Sequence, residues 1–433
     1  MHYQVLSNIQ IQQIPTEEFP NRNKLLVFSF FNNYDGTSTW DNLTQTMQIV
    51  LPKKVKVKAY KITGSPFSVV PDIRSSYIEL SGGTGSNSNL GGFDIEPTLL
   101  RGDMIKMNVG YRAVVNGVET DYWTGQKGVP DLFNGFISSV EPRLPFTIEC
   151  EDNMWLCKQI PTPAKNWGSK SLQEIVETII TEAQSLPTLK RYAPYITLKV
   201  SDFSRAELKF NVRSFTTTDD TLANLLLRIK GQYKLNSYFR GNELRIGYLN
   251  YVPADNVVHT FTFQKNILDK DTLQWRRKDD TVVSLIVRSN YEVESDGTTK
   301  DGHTKSKQVS TEILLYRGIG GKTEYIKKEK GKPYPVKYWD RTGQRISLEL
   351  NSTIADEKDL FRFGEPILKQ RYYDGFTGTF TTFGIPYVKH GDTVRLVNHV
   401  LPEMNGTYYV KQVRYYGGVD DGLRQEITLD YKI

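Results

Sequence analysis

The fragment Gly320-Gly321-Lys322-Thr323 is the closest approach to a reactive motif in this chain. It invites comparison with phosphate-binding loops, because these end in Gly-Lys-Thr. The spacing of such a loop requires a glycine at position 316, where this chain has Tyr316. No strong strand-then-helix pattern surrounds the fragment either. The sequence therefore predicts a solvated turn here and no nucleotide cofactor.

Metal-binding and nucleophilic patterns are also missing from the sequence. The five histidines form no HExxH pair and no Cys/His cluster; they are His2, His259, His303, His390 and His399. His390 and His399 share one turn-and-strand segment and are predicted to be surface or edge residues. Cys150 and Cys157 have neither CxxC spacing nor the pattern of a disulfide framework, so two reduced thiols are expected. No G-x-S-x-G elbow occurs. We predict no catalytic, cofactor-binding or metal-binding residues.

Paired carboxylates are harder to exclude, since a glycosidase needs only two acids roughly 5 to 9.5 Å apart. The best candidates are Glu149, Glu151 and Asp152, which lie close together in the sequence. Their neighbours indicate a strand that runs into a helix start, where acidic side chains favour the exposed backbone amides. The structural interpretation is preferred. A hydrolase that uses Glu149 or Asp152 remains the alternative.

Composition favours a β-rich globular protein. The chain has 433 residues, including 25 Tyr and 20 Phe, and 38% of its residues are hydrophobic. Aromatic and β-branched side chains pack well on pleated surfaces, and this length predicts two to four structural units. The net charge of +6 is interleaved along the chain, so no sequence-specific nucleic-acid binding is expected. The N-terminus resembles no secretion signal, and no run is long enough to span a membrane, which predicts synthesis in the cytosol.

Local patterns divide the chain into three parts. Residues 1–160 alternate short β-type runs with turn residues, which predicts a first β domain. Residues 161–258 contain a helical stripe over 172–180, capped by Ser169 or Ser171, and a second helix that should end at Gly231 before a hairpin. Residues 259–433 return to strands. We predict domains at 1–160, 161–258 and 259–433, with an insertion near 295–345 in the last.

One internal echo links the two β regions. Gly102-Asp103 and Gly391-Asp392 each precede an alternating strand. Each strand is then followed by a second one, at 133–140 and at 408–413. Glycine allows the tight turn and aspartate bonds neighbouring amides. Arg101-Gly102-Asp103 is accordingly interpreted as this turn rather than as an adhesion tripeptide. Gly-Asp turns are common, so the echo alone leaves a true duplication open.

The segment 133–152 resembles a passage of phage tail hub and late-control proteins. It reads F-x-G-x-I and then P-hydrophobic-T-I-E-C-E-D. The ending, from His390 through Gly406-Thr407-Tyr408-Tyr409-Val410, resembles the closing barrel of the same family. The helices near 172 and 222 and the hairpin after them resemble the domain inserted between the two hub barrels. Residues 295–345 match nothing in that family.

The resemblance implies two barrel-like β domains of tail-hub type around a small α+β insertion. It further implies a homotrimer whose six similar domains adapt a sixfold tail tube to a threefold spike or tip. The expected partners are tail tube protein, spike or tip protein, other baseplate proteins and possibly a tape-measure protein, within a virion assembled in the host cytoplasm. The ring would surround the channel for DNA. The alternatives are a tail-associated glycan or peptidoglycan hydrolase and a carbohydrate-binding β module.

Overall fold

Strands dominate the protein, and helices are few. The computed structural model describes residues 2–28, 30–52, 54–62, 69–79, 82–83, 97–115, 118–120, 131–141, 145–168, 170–208, 215–233, 235–247, 258–269, 272–278, 283–298, 304–317, 322–334, 344–350, 356–419 and 421–433. The predicted class, mainly β with a small α+β insertion, is confirmed.

The elements of the first two regions follow the predicted order. The first region contains β1 (His2–Gln12), β2 (Lys24–Phe28), β3 (Asn33–Thr39), β4 (Thr46–Leu51), β5 (Lys54–Ile62), β6 (Val69–Glu79), β7 (Gly82–Gly83), β8 (Leu99–Leu100), β9 (Met104–Val115), β10 (Val118–Thr120), β11 (Asp131–Glu141) and β12 (Phe146–Glu151). The middle region contains α1 (Met154–Cys157), β13 (Pro161–Thr162), β14 (Lys165–Asn166), α2 (Leu172–Ala183), α3 (Pro187–Lys190), β15 (Lys199–Val200), α4 (Asp202–Glu207), β16 (Thr216–Thr217), β17 (Asp220–Thr221), α5 (Leu222–Tyr233), β18 (Asn236–Arg240) and β19 (Glu243–Gly247).

The last region is again mostly strands. It contains β20 (Val258–Thr262), β21 (Ile267–Asp269), β22 (Gln274–Arg276), β23 (Val283–Thr298), β24 (Thr304–Arg317), β25 (Thr323–Lys327), β26 (Gln344–Leu350), α6 (Glu357–Lys369), β27 (Gly375–Thr377), β28 (Thr379–Phe383), β29 (Thr393–Val397), a short 3-10 turn (Pro402–Met404), β30 (Gly406–Gly418) and β31 (Gly422–Lys432).

One 16-stranded sheet runs through both β regions. Its path is β21-β28-β31-β30-β3-β4-β12-β11-β9-β1-β2-β5-β6, and β29 and β20 continue from β30 off this path. A single apolar core cluster also takes residues from both regions, for example Ile49 and Ile427. The domain boundaries at 160 and 258 stay a prediction, because this sheet and core do not separate the two β regions.

The middle region begins as the sequence predicts. Ser171 caps α2, its side chain accepts a bond from the Glu174 amide, and Glu174 returns a bond to the Ser171 amide. The buried stripe of α2 includes Leu172, Ile175 and Ile179. The prediction that the second helix ends at Gly231 is wrong, because α5 continues to Tyr233, whose side chain is buried. Burial of that last turn outweighs the low helix propensity of glycine.

The described strands of the insertion in the last region belong to a second sheet. Strands β23 and β24 form one long hairpin, and β25 and β26 complete a four-stranded sheet with the order β25-β24-β23-β26. Helix α6, capped by Asp356, covers this sheet. Sequence analysis missed α6, whose Pro366 lies inside the helix. Proline is unfavourable in a helix interior, so its presence hid the pattern.

Candidate functional site: two equivalent turns and the seam between β units

Two Gly-Asp turns of the same geometry open β9 and β29. Gly102 has φ +92° and Gly391 has φ +82°, in the left-handed region that glycine tolerates. In each turn the aspartate side chain accepts a bond from the amide three residues earlier, at 2.8 Å for Leu100 and 2.7 Å for Lys389. Each turn therefore closes on itself in the same way, as the sequence echo predicts.

Both turns hold their return strand by the same pair of backbone bonds. The bonds run from Gly102 N to Ile137 O (2.8 Å), from Ile137 N to Asp103 O (2.9 Å), from Gly391 N to Val410 O (2.8 Å) and from Val410 N to Asp392 O (2.9 Å). Ile137 of β11 is thus equivalent to Val410 of β30. The two turns therefore share the hydrogen-bond register of the turn and its return strand. Two turns of the same type need not share this register.

A register shift follows at the same place in both return strands. It lies between Ile137 and Ser139 in β11, and between Val410 and Gln412 in β30. The extra residue changes which side chains face inward, so residues three apart are both buried. These are Ile137 and Val140 in one strand and Val410 and Val413 in the other.

The strand order is also repeated. We call β1, β3, β4, β9, β11 and β12 the first unit, and β20, β21, β28, β29, β30 and β31 the second unit. Across the sheet the first unit reads β3-β4-β12-β11-β9-β1, and the second reads β21-β28-β31-β30-β29-β20. If the six strands of each unit are numbered 1 to 6 along the chain, both units have the order 2-3-6-5-4-1 across the sheet. The likeness of the opening and closing β regions therefore extends to strand order, although β1 runs antiparallel to β9 and β20 runs parallel to β29.

The two units meet where β3 of the first pairs with β30 of the second. This contact, which we call the seam, is antiparallel and joins Asn33–Thr39 to Gln412–Gly418. The Arg414 guanidinium binds both carboxylate oxygens of Asp35 across it, at 2.6 and 3.1 Å. A two-point bond of this kind fixes register as well as adding energy.

The first turn contains a buried ion pair. Arg22 and Asp103 lie 2.6 Å apart, with side chains 0% and 1% exposed. Arg22 also donates to the carbonyls of Ile14, Pro97 and Thr98. Such a charge is tolerable inside a protein only when it is paired and its donors are used. Arg22 therefore ties the chain before β2 to the turn before β9.

The second turn takes its partners from other parts of the chain. Asp392 lies 3.4 Å from Arg240 of the middle region and 3.3 Å from His259 of β20. Arg240 also donates to the backbone carbonyl of His390. Three regions of the chain consequently meet at this turn.

His390 is buried in this junction, so its predicted position at the surface or an edge is wrong. It is 2% exposed, lies 2.5 Å from the Ser38 hydroxyl through Nδ1, and packs edge-on against Tyr238. Burial, with nearby Arg240, Lys389 and Arg245, holds the pKa of His390 well below its usual range. The ring is neutral and serves packing. His399 is exposed, as predicted, and His2 and His303 have no described side chains.

Each of the three candidate acids has its own partner in the structure. Glu149 accepts a bond from Gln48, and Glu151 pairs with Lys158 at 2.6 Å. Asp152 is 6% exposed and accepts a bond from the Met154 amide at the start of α1, as the helix-start interpretation predicts. Burial raises the pKa of Asp152 to about 7. A perturbed carboxyl can mark a reactive site, but this one is enclosed and accepts its bond from the backbone at the start of α1.

The remaining sequence predictions concern the two thiols, metal sites, membrane-spanning segments and the Gly-Lys-Thr fragment. Cys150 and Cys157 are free and buried. In the described part of the chain, no group of three or more His, Cys, Asp or Glu is placed to hold a metal ion. Within the same residues, no helix is long and apolar enough to cross a membrane. Gly320 and Gly321 lie outside the described residues, and Thr323 opens β25.

Arg22 is the structural residue that sequence analysis missed. It lies between two asparagines in a polar stretch that reads as a surface loop. Nothing in the local pattern distinguishes a buried arginine from a solvated one. The usable signal was Asp103, because an aspartate that caps a tight turn beneath apolar strands needs a cationic partner when it is buried.

Comparison with known proteins supports the fold alone. No family model matches the chain, and no curated protein matches it by sequence. Among solved structures, the tail protein from Neisseria meningitidis MC58 is 12% identical, with a TM-score of 0.50, over 100% of this chain and 97% of that one. The 43 kDa tail protein of prophage MuSo2 from Shewanella oneidensis is 10% identical, with a TM-score of 0.49, over 98% of each chain. An E. coli component of the type VI secretion system is 6% identical, with a TM-score of 0.42, over 93% of this chain and 76% of that one.

The first of these likenesses covers 100% of this chain and therefore includes both β units. It agrees with the fold implied by the family resemblance of residues 133–152 and of the C-terminal strands. The chain therefore shares its fold with the tail protein from Neisseria meningitidis MC58.

Proposed function

We propose that this protein is the structural hub of a phage or phage-like tail, a homotrimeric ring at the tail tip or baseplate. The observation that carries the proposal is the repeated unit: the same six-position strand order and the same Gly-Asp turn occur twice in one chain. Three such chains present six similar units around a threefold axis. A ring of this kind matches sixfold and threefold neighbours at once, because closed rings repeat one heterologous contact.

The partners follow from that geometry and from the family resemblance. A sixfold tail tube would rest on six similar faces, and a threefold spike or tip would bind the features that differ between the two units. The chain would assemble in the host cytoplasm and remain in the virion, with DNA and a tape-measure protein passing through the lumen. No sequence-specific contact with DNA is needed for this role, and the mild, interleaved charge suits it.

The proposed role is non-enzymatic. The rival function, glycan hydrolysis, would need two accessible carboxylates across a cleft. The acids in question are bound by Gln48 and Lys158 or are enclosed at the start of α1. These contacts favour a structural role for all three acids over a catalytic role.

Native mass measurement and electron-microscopy class averages of the purified full chain test the proposal. We expect a mass of three chains and end-on views with six similar lobes around a hole. A monomer that clears purified peptidoglycan would overturn the proposal in favour of the hydrolase. A stable monomer without that activity would overturn it as well.

A further inference from the structure

We propose that the side-chain amide of Asn266 closes the outer edge of β20, so that a strand of a second copy of this chain cannot pair with it. β20 and β1 occupy equivalent positions in the two units. The outer edge of β1 hydrogen-bonds to β2. β20 pairs with β29 on one side, and no described strand pairs with its other side. The inference goes beyond the proposed hub and does not depend on it.

The backbone groups of Thr260 and Thr262 face the outer side of β20. On the inner side, Phe263 donates its amide to the carbonyl of Val397 at the end of β29, at 3.0 Å. Backbone groups alternate between the two sides of a strand, so residues of the same parity as Phe263 bond to β29 and the others point away from it. Outward groups of this kind are a template for pairing with another chain.

One side-chain amide binds two of these outward groups. Asn266 accepts a bond from the Thr262 amide through Oδ1, at 2.7 Å, and donates through Nδ2 to the Thr260 carbonyl, at 3.3 Å. These two groups flank Phe261. In a parallel ladder, a single residue of the neighbouring strand bonds to the same two groups. The Asn266 side chain thus takes the place of one backbone unit of an adjacent strand.

The turn after β20 occupies a third outward group. The amides of Lys265 and Asn266 both donate to the Thr262 carbonyl, at 3.1 and 3.3 Å. The Thr262 amide, the Thr262 carbonyl and the Thr260 carbonyl are therefore all bonded to residues 265 and 266. An incoming strand would have to break these bonds before it could pair with this part of β20.

Asn266 is also held from the other side. The Thr382 hydroxyl of β28 donates to the Asn266 carbonyl, at 2.5 Å, and β21, which begins at the next residue, pairs with β28. Within the turn, Gln264 has φ +64°, which is unfavourable for a residue with a Cβ. Backbone persists in this region only where its surroundings determine it. The turn and β28 together therefore fix the position of the Asn266 amide.

Only an amide side chain supplies both kinds of bond. Asparagine carries an acceptor oxygen and a donor nitrogen, whereas ionised aspartate carries acceptors alone and alanine carries neither. Asn266→Asp should keep the bond from the Thr262 amide and lose the bond to the Thr260 carbonyl. Asn266→Ala should lose both. The two substitutions should consequently open the edge in part and completely.

Hydrogen exchange of the Thr262 amide tests whether the contact exists in solution. In the full-length protein, Asn266→Ala should raise the exchange rate of this amide by about tenfold or more, because its acceptor is gone. Asn266→Asp should leave the rate within about threefold of the original, since its acceptor remains. Lys265→Ala is the matched control, because this side chain is exposed in the same turn, and it should leave the rate unchanged.

Native mass measurement over a range of protein concentrations tests whether the contact closes the edge. The unsubstituted protein and Lys265→Ala should keep one mass. Asn266→Ala should add a species of twice that mass, because two opened β20 edges can pair. Asn266→Asp should do so only at about tenfold higher concentration, since one bond of the amide remains. Adding Thr260→Pro to Asn266→Ala should remove the doubled species, because proline lacks the outward amide and leaves the side facing β29 unchanged.

The outcomes decide between a closed edge and a turn contact without that role. Faster exchange at Thr262 with no doubled mass in either variant overturns the inference, since the amide then serves the turn alone. Unchanged exchange overturns it as well, and so does a doubled mass that Thr260→Pro leaves in place. If Asn266→Ala does not fold, Asn266→Asp decides by the same two measurements. A monomeric unsubstituted protein overturns the hub and leaves this inference standing.

Discussion

The two Gly-Asp turns share a backbone and differ in what surrounds it. In the first, Asp103 is paired with Arg22 from the chain before β2, and both side chains are buried. In the second, Asp392 is shared between Arg240 and His259, which come from two other regions and are partly exposed. The turn geometry is thus set by glycine and aspartate alone. The partners of the aspartate decide what each turn connects. The first turn connects two segments of the first β region, and the second turn connects three regions of the chain.

The outer strand of each unit shows a similar contrast. β1 runs antiparallel to β9, whereas β20 runs parallel to β29. The inner strands keep their order and register because the bulge and the buried alternation fix which side chains face the core. The outer position requires only a backbone edge, so a strand of either direction fills it. The repeated part of each unit is therefore the turn, its return strand and the strands beside them.

The largest difference between the turns should appear when their aspartates are neutralised. Asp103→Asn leaves the Arg22 charge buried without its counter-ion and should cost about 3–5 kcal/mol of unfolding free energy. Asp392→Asn should cost about 1–2 kcal/mol, since its partners Arg240 and His259 remain partly exposed to solvent. Equilibrium urea denaturation measures both. Equal losses of unfolding free energy would contradict the distinction between the buried ion pair of Asp103 and the partly exposed contacts of Asp392.

A smaller difference is expected at the glycines. Alanine at either position is strained by the positive φ, which costs about 1–2 kcal/mol. At Gly102 the added Cβ would also lie 2.6 Å from the Tyr192 hydroxyl and 3.2 Å from the Trp155 ring. Gly102→Ala should therefore destabilise more than Gly391→Ala in thermal unfolding. Adding Tyr192→Phe should recover part of the loss at position 102 and none at position 391; recovery at both would argue against the clash.

The smallest effect is the contribution of His390 in the second turn to the pH dependence of stability. The folded protein keeps His390 neutral because burial lowers its pKa, while the unfolded chain protonates it near pH ~6.5. Unfolding therefore takes up a proton below that pH, and stability should fall as the pH drops, by at most about 1.4 kcal/mol per pH unit. His390→Phe should flatten the curve between pH 7.5 and 5.5. Arg101→His, the matched change at the exposed equivalent position, should leave the slope as it is.

The sequence predicts those features that local chemistry determines. Ser171 with Glu174 marks the start of α2, the 236–247 hairpin follows its turn residues, and each Gly-Asp pair marks a turn followed by a strand. Strand class follows from aromatic and β-branched content. These features depend on residues close together in the chain, and the structure confirms each of them.

The features that sequence analysis missed depend on contacts between distant residues. His390 is buried because Ser38 and Tyr238 arrive from elsewhere, and Arg22 is buried because Asp103 lies 81 positions away. The continuous sheet likewise depends on β3 reaching β30 across most of the chain. The matching bulges in β11 and β30 leave no mark in composition, and only the paired registers show them. Local patterns carry no information about such partners.

The seam also has a kinetic consequence. In the proposed ring of six units built from three chains, three of the six joints would form during the folding of single polypeptides, at the high effective concentration of tethered segments. Closure of the ring then depends on the third power of protein concentration, where six separate units would need the sixth. Tethering the units in pairs also forces them to alternate, so a ring with two first units side by side cannot close.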